Sequence, residues 1–354
     1  MIAAASINID KTEHSKLKDI NLSDIPFGKY FTDHMLEADY ENGEWVNAAI
    51  KPYQPLLLAP SMAAIHYGQA IFEGIKAYKN AAGEAYIFRP YDNFKRFNIS
   101  AERMQMPQVP EELFMEGMRL LVDLDRNWIP GQEDHSLYIR PFMFSSDEMI
   151  GVRPSEKYKF MIILSPTGPY YNVPMRIYVE EKYVRAVPGG VGYAKAAGNY
   201  GAAMYPTAEA KKIGYDQVLW TDAYEHKYVQ ECGTMNIFFI IGNRAITPSL
   251  DTGTILPGVT RDSAITILNE IGFEVEETQL SIDDIIDAHK AGILYEVFGT
   301  GTAATISLIK ELRYKDYVMK FDIDLWKIGP AVKSKLNAIR YGQAEDKHGW
   351  MVRV

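Results

Sequence analysis

The chain has a single cysteine, Cys232, in 354 residues. One thiol cannot close an internal disulfide, so cysteine usage gives no sign of an oxidising compartment and a cytoplasmic location is expected. Apolar runs of membrane length are also missing: stretches such as Asn236 to Ile241 are short and polar-flanked, far below the roughly 18 residues a span requires. The start, Met1 to Lys18, has only a brief small-residue run from Ile2 to Ala5 before charges begin, unlike a secretory signal or an arginine-rich transit peptide. No membrane role is expected. Positive charge is in deficit, with a net charge of −9, which argues against nucleic acid as the main partner. The seven histidines show neither His-Glu-x-x-His nor Cys/His ligand spacing, so no metal site is expected. Gly190 to Lys195 lacks the Gly-Lys-Ser/Thr of a P-loop, and no Gly-x-Gly-x-x-Gly joins a strand to a helix, which removes the best evidence for a kinase or a dehydrogenase. Repeats, heptads and low-complexity tracts are absent.

What is present is an ordinary globular composition, 47% hydrophobic and 23% charged, in a chain long enough for two domains that each bury a core. Strand-like segments run over Glu84 to Phe88, Leu137 to Phe144 and Lys159 to Ser165, with a helix predicted over about 110–125 from Leu113, Met118, Leu121 and Val122 at helical spacing. The densest turn cluster, Pro166 to Pro174, is read as a linker (166–174) between an N-terminal domain (1–165) and a C-terminal domain (175–354). Further strands are expected over Arg176 to Glu180, Gln217 to Trp220 and Ile237 to Ile241. Gly242 and Asn243 turn the last of these into a hairpin with Arg244 to Thr247. After Gly258, the residues Ala264, Ile267, Leu268 and Ile271 mark one helical face, stopped at Gly272. A final helix is expected from about Asp324 to Ile339, with Leu325, Ile328, Val332 and Leu336 as its buried stripe and Pro330 as an irregularity.

Lys195 is the only charge in a small and apolar run from Val187 to Met204. Desolvation pushes a lysine pKa down and frees a neutral amine for Schiff-base chemistry; a surface lysine whose stem lies on apolar neighbours has the same local sequence. Leu256-Pro-Gly-Val-Thr-Arg-Asp opens the helix after Gly258, so free amides near Val259 and Thr260 can face an anion such as phosphate. Phe298-Gly-Thr-Gly-Thr-Ala-Ala follows a strand-like run and reads as a loop whose N–H groups can approach a second anion. Arg89 in Phe88-Arg-Pro and Arg140 in Tyr138-Ile-Arg-Pro each suit a phosphate or carboxylate, or equally a structural ion pair. Glu231 interrupts an apolar segment, so once buried it needs a cationic partner, a role a protonated pyridine nitrogen can fill.

Taken together these pieces resemble the branched-chain aminotransferases, fold type IV of the pyridoxal-phosphate enzymes. The likeness runs through Phe31-Thr-Asp-His-Met, His66-Tyr-Gly, Phe72-Glu-Gly-Ile-Lys-Ala-Tyr, Phe88-Arg-Pro, Leu137-Tyr-Ile-Arg-Pro and Lys195-Ala-Ala-Gly-Asn-Tyr-Gly. It continues through Glu231-Cys-Gly-Thr-Met-Asn, Leu256-Pro-Gly-Val-Thr-Arg and Phe298-Gly-Thr-Gly-Thr-Ala to Tyr341-Gly and Trp350. The resemblance implies a mixed α/β fold of D-amino-acid-aminotransferase-like architecture, with a smaller N-terminal domain and a larger C-terminal domain built on a mixed, barrel-like sheet. It implies Lys195 as the Schiff-base lysine, Glu231 as partner of the pyridinium nitrogen and Tyr200 near the 3′ oxygen, with Arg89, Val259, Thr260 and Thr302 around the phosphate. Tyr67, Phe72, Tyr138, Tyr170 and Thr234 match the side-chain pocket. The amides of Thr302 and Ala303 match the α-carboxylate site, and Arg140 resembles the residue that admits the glutamate side chain.

The activity so implied is ping-pong transfer of an amino group between L-leucine, L-isoleucine or L-valine and 2-oxoglutarate, giving 2-oxo acids and glutamate, in a homodimer. Lys195 moves the proton. Some animal members carry a Cys-x-x-Cys after the Gly-Thr-Ala loop; Ala304 to Ser307 hold no cysteine, which excludes thiol regulation of that kind. Cys232 is read as packing. The rival readings are a D-amino-acid aminotransferase or aminodeoxychorismate lyase on the same fold, and a non-catalytic cofactor-binding protein.

Overall fold

The computed structural model describes residues 7–169 and 173–354. The structure divides the chain into two compact units. One gathers the described residues of 1–170 with 194–198 and 338–354; the other gathers those of 171–193 and 199–337. Each is built on its own nine-stranded sheet.

In the first unit the strand order is Asn8–Ile9, Glu44–Pro52, His34–Glu41, Tyr158–Thr167, Ser136–Ser145, Ile75–Lys79, Ala85–Phe88 and Met351–Arg353. Ala70–Phe72 pairs separately with Ser136–Ser145. All the pairings are antiparallel except that of Asn8–Ile9 with Glu44–Pro52. The last residues lie in this unit because Met351, Val352 and Arg353 pair with Phe88, Ile87 and Tyr86. The helix predicted near 110–125 is Glu111–Leu124, and its buried face is Leu113, Phe114, Met118, Leu121 and Val122. It lies close on the sheet: a Cβ at Gly117 would sit 2.4 Å from Leu36 Cδ1. Each fully buried Phe, Leu or Ile on such a face contributes about 1.5–3 kcal/mol, and Leu36, Phe97, Phe114, Leu121, Ile139 and Phe160 are all within this core.

The second unit orders Val229–Cys232, Gln217–Thr221, Met175–Val179, Thr305–Tyr314, Leu294–Gly301, Asn236–Ile241, Arg244–Pro248 and Glu274–Thr278. Tyr317–Lys320 pairs off Thr305–Tyr314. This sheet is mixed, with parallel pairings on both sides of Met175–Val179 and between Arg244–Pro248 and Glu274–Thr278. The hairpin across Gly242 forms as expected, with Ile241 opposite Arg244 and Gly242 at φ 59°.

Two expectations need correction. The strand-like run before residue 298 continues as Leu294–Gly301, so Gly299 and Gly301 are strand residues and only Thr302 to Ala304 turn. Packing at Gly299 is tight, since a Cβ there would lie 3.0 Å from Met235 Cε and the methionine would have to shift. The last helix starts at Ile328, after a separate 3-10 turn over Ile323–Leu325, and Leu325 is 72% exposed. Pro330 therefore falls in the first turn, where a missing N–H costs nothing. Buried Glu296 takes over the capping, accepting hydrogen bonds from the N–H groups of Lys327, Ile328 and Gly329 at 2.6–2.8 Å. Among the described residues no helix is long and apolar enough to cross a membrane, and no group of three or more His, Cys, Asp or Glu could hold a metal ion.

Candidate active site

In the first unit the backbone of Lys195 is held from two sides. Its N–H donates to Ser100 Oγ at 2.9 Å, and its carbonyl accepts from the Phe72 N–H at 3.1 Å. Ala196 bridges Ile71. The side chain is half-buried, with Nζ 4.9 Å from the centre of the Phe72 ring. An ammonium over an aromatic face is attracted by the ring quadrupole.

The same ring carries a second cation. Arg140 Cζ lies 4.5 Å from the Phe72 centroid and 5.2 Å from that of Tyr138, and its Nη2 donates to Tyr138 Oη at 2.9 Å. Tyr138 and Arg140 share a face because they are two apart on strand Ser136–Ser145. Tyr138 comes so near the neighbouring strand that a Cβ at Gly74 would be 2.2 Å from its Oη. Among the described residues Arg140 Nε is buried without a hydrogen-bond partner, and the one polar side chain bonded to the guanidinium is the Tyr138 hydroxyl. A half-buried cation so placed is a ready receptor for a carboxylate. Phe72, Tyr138, Arg140 and Lys195 are thus one cluster.

Arg89 stands at the head of helix Pro90–Arg103 in the left-handed region, φ 48°, which is uncommon for a residue with a Cβ and collects at functional positions. Its N–H donates to Trp350 O at 2.7 Å, its guanidinium lies over the Trp350 ring and its Nε bonds Asp92 at 2.8 Å. Tyr67 is 41% exposed, and Tyr170 lies outside the described residues.

In the second unit Glu231, on the wholly buried strand Val229–Cys232, has its cation within the protein: Arg185 Nε is 3.0 Å from Glu231 Oε2, with both side chains almost fully buried. Arg185 Nη1 also donates to the carbonyls of Gly192 and Thr254. Glu231 Oε1 accepts the Leu256 N–H at 2.5 Å, while Asn236 Nδ2 donates to Leu256 O at 2.9 Å. Both polar backbone groups of Leu256 are therefore fixed by side chains, and the chain enters helix Val259–Glu270 from there. A Cβ at Gly258 would lie 2.0 Å from Asn236 Oδ1, so glycine is required. This helix has no side-chain N-cap, and its first residues Val259 and Thr260 are buried, an arrangement that favours an anion at the helix start.

Asn236 pairs with Thr300, which brings exposed Thr234 near the turn holding Thr302 and Ala303. Tyr200 lies in the first turn of helix Ala197–Lys212. Cys232 is fully buried within the apolar cluster around Ile237 and Phe239. Burial, reinforced by the neighbouring Glu231 charge, pushes its thiol far above the ordinary cysteine value, so it is packing rather than a nucleophile.

Of the residues named from the sequence, Phe72, Tyr138, Arg140 and Lys195 stand together, whereas Ser100, Glu73, Arg96 and Arg185, which bond to Lys195, to each other or to Glu231, are not named there as site residues. Glu73, beside Phe72, is fully buried and pairs with Arg96 (Nε–Oε1 2.7 Å, Nη2–Oε2 2.8 Å). A charge inside the apolar Phe72 to Tyr78 run is the available signal for it. Ser100 and Arg185 carry no local signal.

A profile of the Amino-transferase class IV family matches residues 70–312. A "Probable branched-chain-amino-acid aminotransferase" of Staphylococcus epidermidis is 48% identical over 98% of both chains. "Branched-chain-amino-acid transaminase 1" of Bacillus subtilis is 47% identical over 98% of this chain and 99% of that one. Among solved structures, the Escherichia coli branched-chain amino acid aminotransferase superposes with a TM-score of 0.74 at 27% identity, covering 90% of this chain and 98% of that one. A branched-chain amino acid aminotransferase of T.th. complexed with N-(5'-phosphopyridoxyl)-L-glutamate gives 0.71 at 27% identity, covering 89% and 97%.

Proposed function

The chain belongs to the branched-chain-amino-acid aminotransferases of class IV, and from that premise we propose that it moves the amino group reversibly between L-leucine, L-isoleucine or L-valine and 2-oxoglutarate, with Lys195 bearing pyridoxal phosphate. That cofactor, when bound, supplies an electron sink for the charge left at the substrate Cα when its proton is removed. The residues present fit it: a half-buried amine at Lys195, a buried carboxylate at Glu231 and a helix start without a side-chain cap at Val259.

With the cofactor bound, Lys195 Nζ would be the base that takes the substrate Cα proton and delivers it to the C4′ position. Glu231 would face the ring nitrogen, with Arg185 and the Leu256 N–H holding its carboxylate in place. Tyr200 serves the 3′ oxygen. Arg89, Val259, Thr260 and Thr302 hold the phosphate, and the amides of Thr302 and Ala303 the α-carboxylate. Phe72, Tyr138, Tyr67, Tyr170 and Thr234 receive the apolar side chain.

The observation that carries the double specificity is Arg140. Its guanidinium lies against two aromatic rings and one phenol, so the same place offers leucine an apolar wall and glutamate a cation. Leu57, Ile65, Tyr67, Ile150 and Val152 are strongly exposed apolar residues of the first unit, and the Ala63 N–H to Asp147 O hydrogen bond ties their two segments together. This patch supports a homodimer, which size-exclusion chromatography with light scattering checks; a monomer removes the proposal.

The decisive experiment is visible absorbance of the purified protein with L-leucine, then 2-oxoglutarate. A yellow band that bleaches with leucine and returns with the oxo acid is expected. Bleaching by D-alanine but not L-leucine points to a D-amino-acid enzyme, and a protein that stays colourless with added pyridoxal phosphate overturns the reading.

A further inference from the structure

We propose that Ser100 is a positioning residue for the reaction, fixing the origin of the Lys195 side chain; this rests on Lys195 being the lysine that bears the cofactor. Ser100 is fully buried in helix Pro90–Arg103. Its hydroxyl proton is committed to Arg96 O at 3.0 Å, which leaves the oxygen's lone pairs for the Lys195 N–H, 2.9 Å away and 95 residues on in sequence. Donor and acceptor roles of the hydroxyl are both assigned, and the pair cannot be inverted because an amide N–H only donates.

The opposite side of Lys195 is fixed by the Phe72 N–H, and Phe72 also places its ring beneath the ammonium. The two supports are joined: Glu73, next to Phe72, is bonded twice to Arg96, one helical turn before Ser100. Peptide group, ring and helix thus form one rigid frame around a lysine that must leave its covalent partner and return to it in every catalytic cycle. A reactive group on a long flexible stem repeats such a motion accurately only if the stem starts from a fixed point. A lysine with a merely structural role has no use for this.

The test compares the holoenzyme with Ser100→Ala, Ser100→Thr and Ser100→Val. Threonine and valine have nearly equal volume and differ in the hydroxyl alone, so their comparison cancels any cost of overfilling. Valine and alanine are expected to lower kcat for L-leucine about tenfold to a hundredfold with little change in KM, and to move the pH titration of the visible band of the lysine-bound cofactor. Threonine is expected to restore both. Val and Thr variants that are alike in kcat and in the titration overturn the proposal, whatever their melting temperatures, and so does an alanine variant with wild-type values. Should alanine or valine fail to fold while threonine folds, borohydride reduction in the threonine variant must still attach the cofactor at Lys195 at the wild-type rate; a slow rate there refutes Ser100. Attachment to a different lysine in the wild-type protein instead refutes the Lys195 reading itself.

Discussion

Replacing Glu73 by Gln tests the frame around Lys195 at its most buried point. Glu73 has no exposed surface, and both carboxylate oxygens take charged hydrogen bonds from Arg96, Nε–Oε1 at 2.7 Å and Nη2–Oε2 at 2.8 Å. Oε2 also accepts the Gly74 N–H at 3.1 Å. Glutamine keeps the shape but removes the charge and turns one acceptor into a donor facing a guanidinium. Arg96, almost fully buried, then loses the carboxylate charge that its Nε and Nη2 bond, a loss of about 3–5 kcal/mol. At roughly 2–4 °C per kcal/mol for a unit of this size, the melting temperature should fall by about 6–20 °C. The control is Glu73→Met with Arg96→Met, which removes both charges together; such replacements of a whole buried pair are often neutral, so much of the loss should be recovered. Urea unfolding of wild type, Glu73→Met, Arg96→Met and the double variant gives the coupling energy. A single variant within about 0.5 kcal/mol of wild type, the scatter of substitutions at unimportant positions, or a double variant no better than the sum of its parts, would refute the argument.

Lys195→Ala should abolish transamination while leaving the circular dichroism spectrum unchanged; steady-state turnover would sink its assignment. Arg140→Ala should raise KM for glutamate and 2-oxoglutarate by about tenfold to a hundredfold, as for a charged hydrogen bond of about 1.5–3 kcal/mol, with a much smaller effect on leucine. Equal losses for both substrates would remove its selective role. Glu231→Gln should retain cofactor but turn over far more slowly, and near-normal kinetics would show that the ring nitrogen is held by other means. At Asp33 burial works against ionisation, but hydrogen bonds from Ser15, the Lys16 N–H and Trp128 outweigh it and hold the carboxyl below its ordinary 3.8. Its contribution is therefore complete above that value and is lost as pH falls through the lower folded value. Limited proteolysis near Ser15 and Lys16 should accelerate only in that acid range, and in Asp33→Asn already at neutral pH; a variant as resistant as wild type would show that Asp33 does not hold the arm.

Periodic segments are legible in the sequence because periodicity is a local property. The apolar face of Glu111–Leu124 and the Gly242 hairpin are each encoded within a dozen or so residues, and both stand where pattern and turn chemistry put them. The start of the last helix is not legible in this way, because it depends on Glu296, about thirty residues away in sequence. Once that carboxylate caps the N–H groups of Lys327 to Gly329, Pro330 falls into a first turn that tolerates it. The strand end at Gly299 to Gly301 reads as a loop because glycine signals a turn locally, whereas the strand pairing and the close approach of Met235 at these positions are tertiary facts.

The same distinction separates scaffold from site among the buried charges. Glu73, Glu231, Glu296 and Arg140 all interrupt apolar segments, and on sequence grounds each could be functional. Partner accounting divides them. Glu73 is neutralised by Arg96, and Glu296 is consumed by three helix amides, so these two hold structure together. Glu231 is paired with Arg185, but one of its oxygens also anchors Leu256, two residues before the glycine that leads into the helix start at Val259, so Glu231 and the helix start proposed to hold the phosphate are tied by one loop. Arg140 has the rings of Phe72 and Tyr138 about its guanidinium, with the Tyr138 hydroxyl bonded to it, and a buried Nε without a partner among the described residues. The guanidinium stays half-exposed, and under the proposed function that open side is where a substrate carboxylate is received. The proposed role of Arg140 therefore rests on a charge that the described residues leave without an acidic partner, which is the condition a substrate carboxylate can meet.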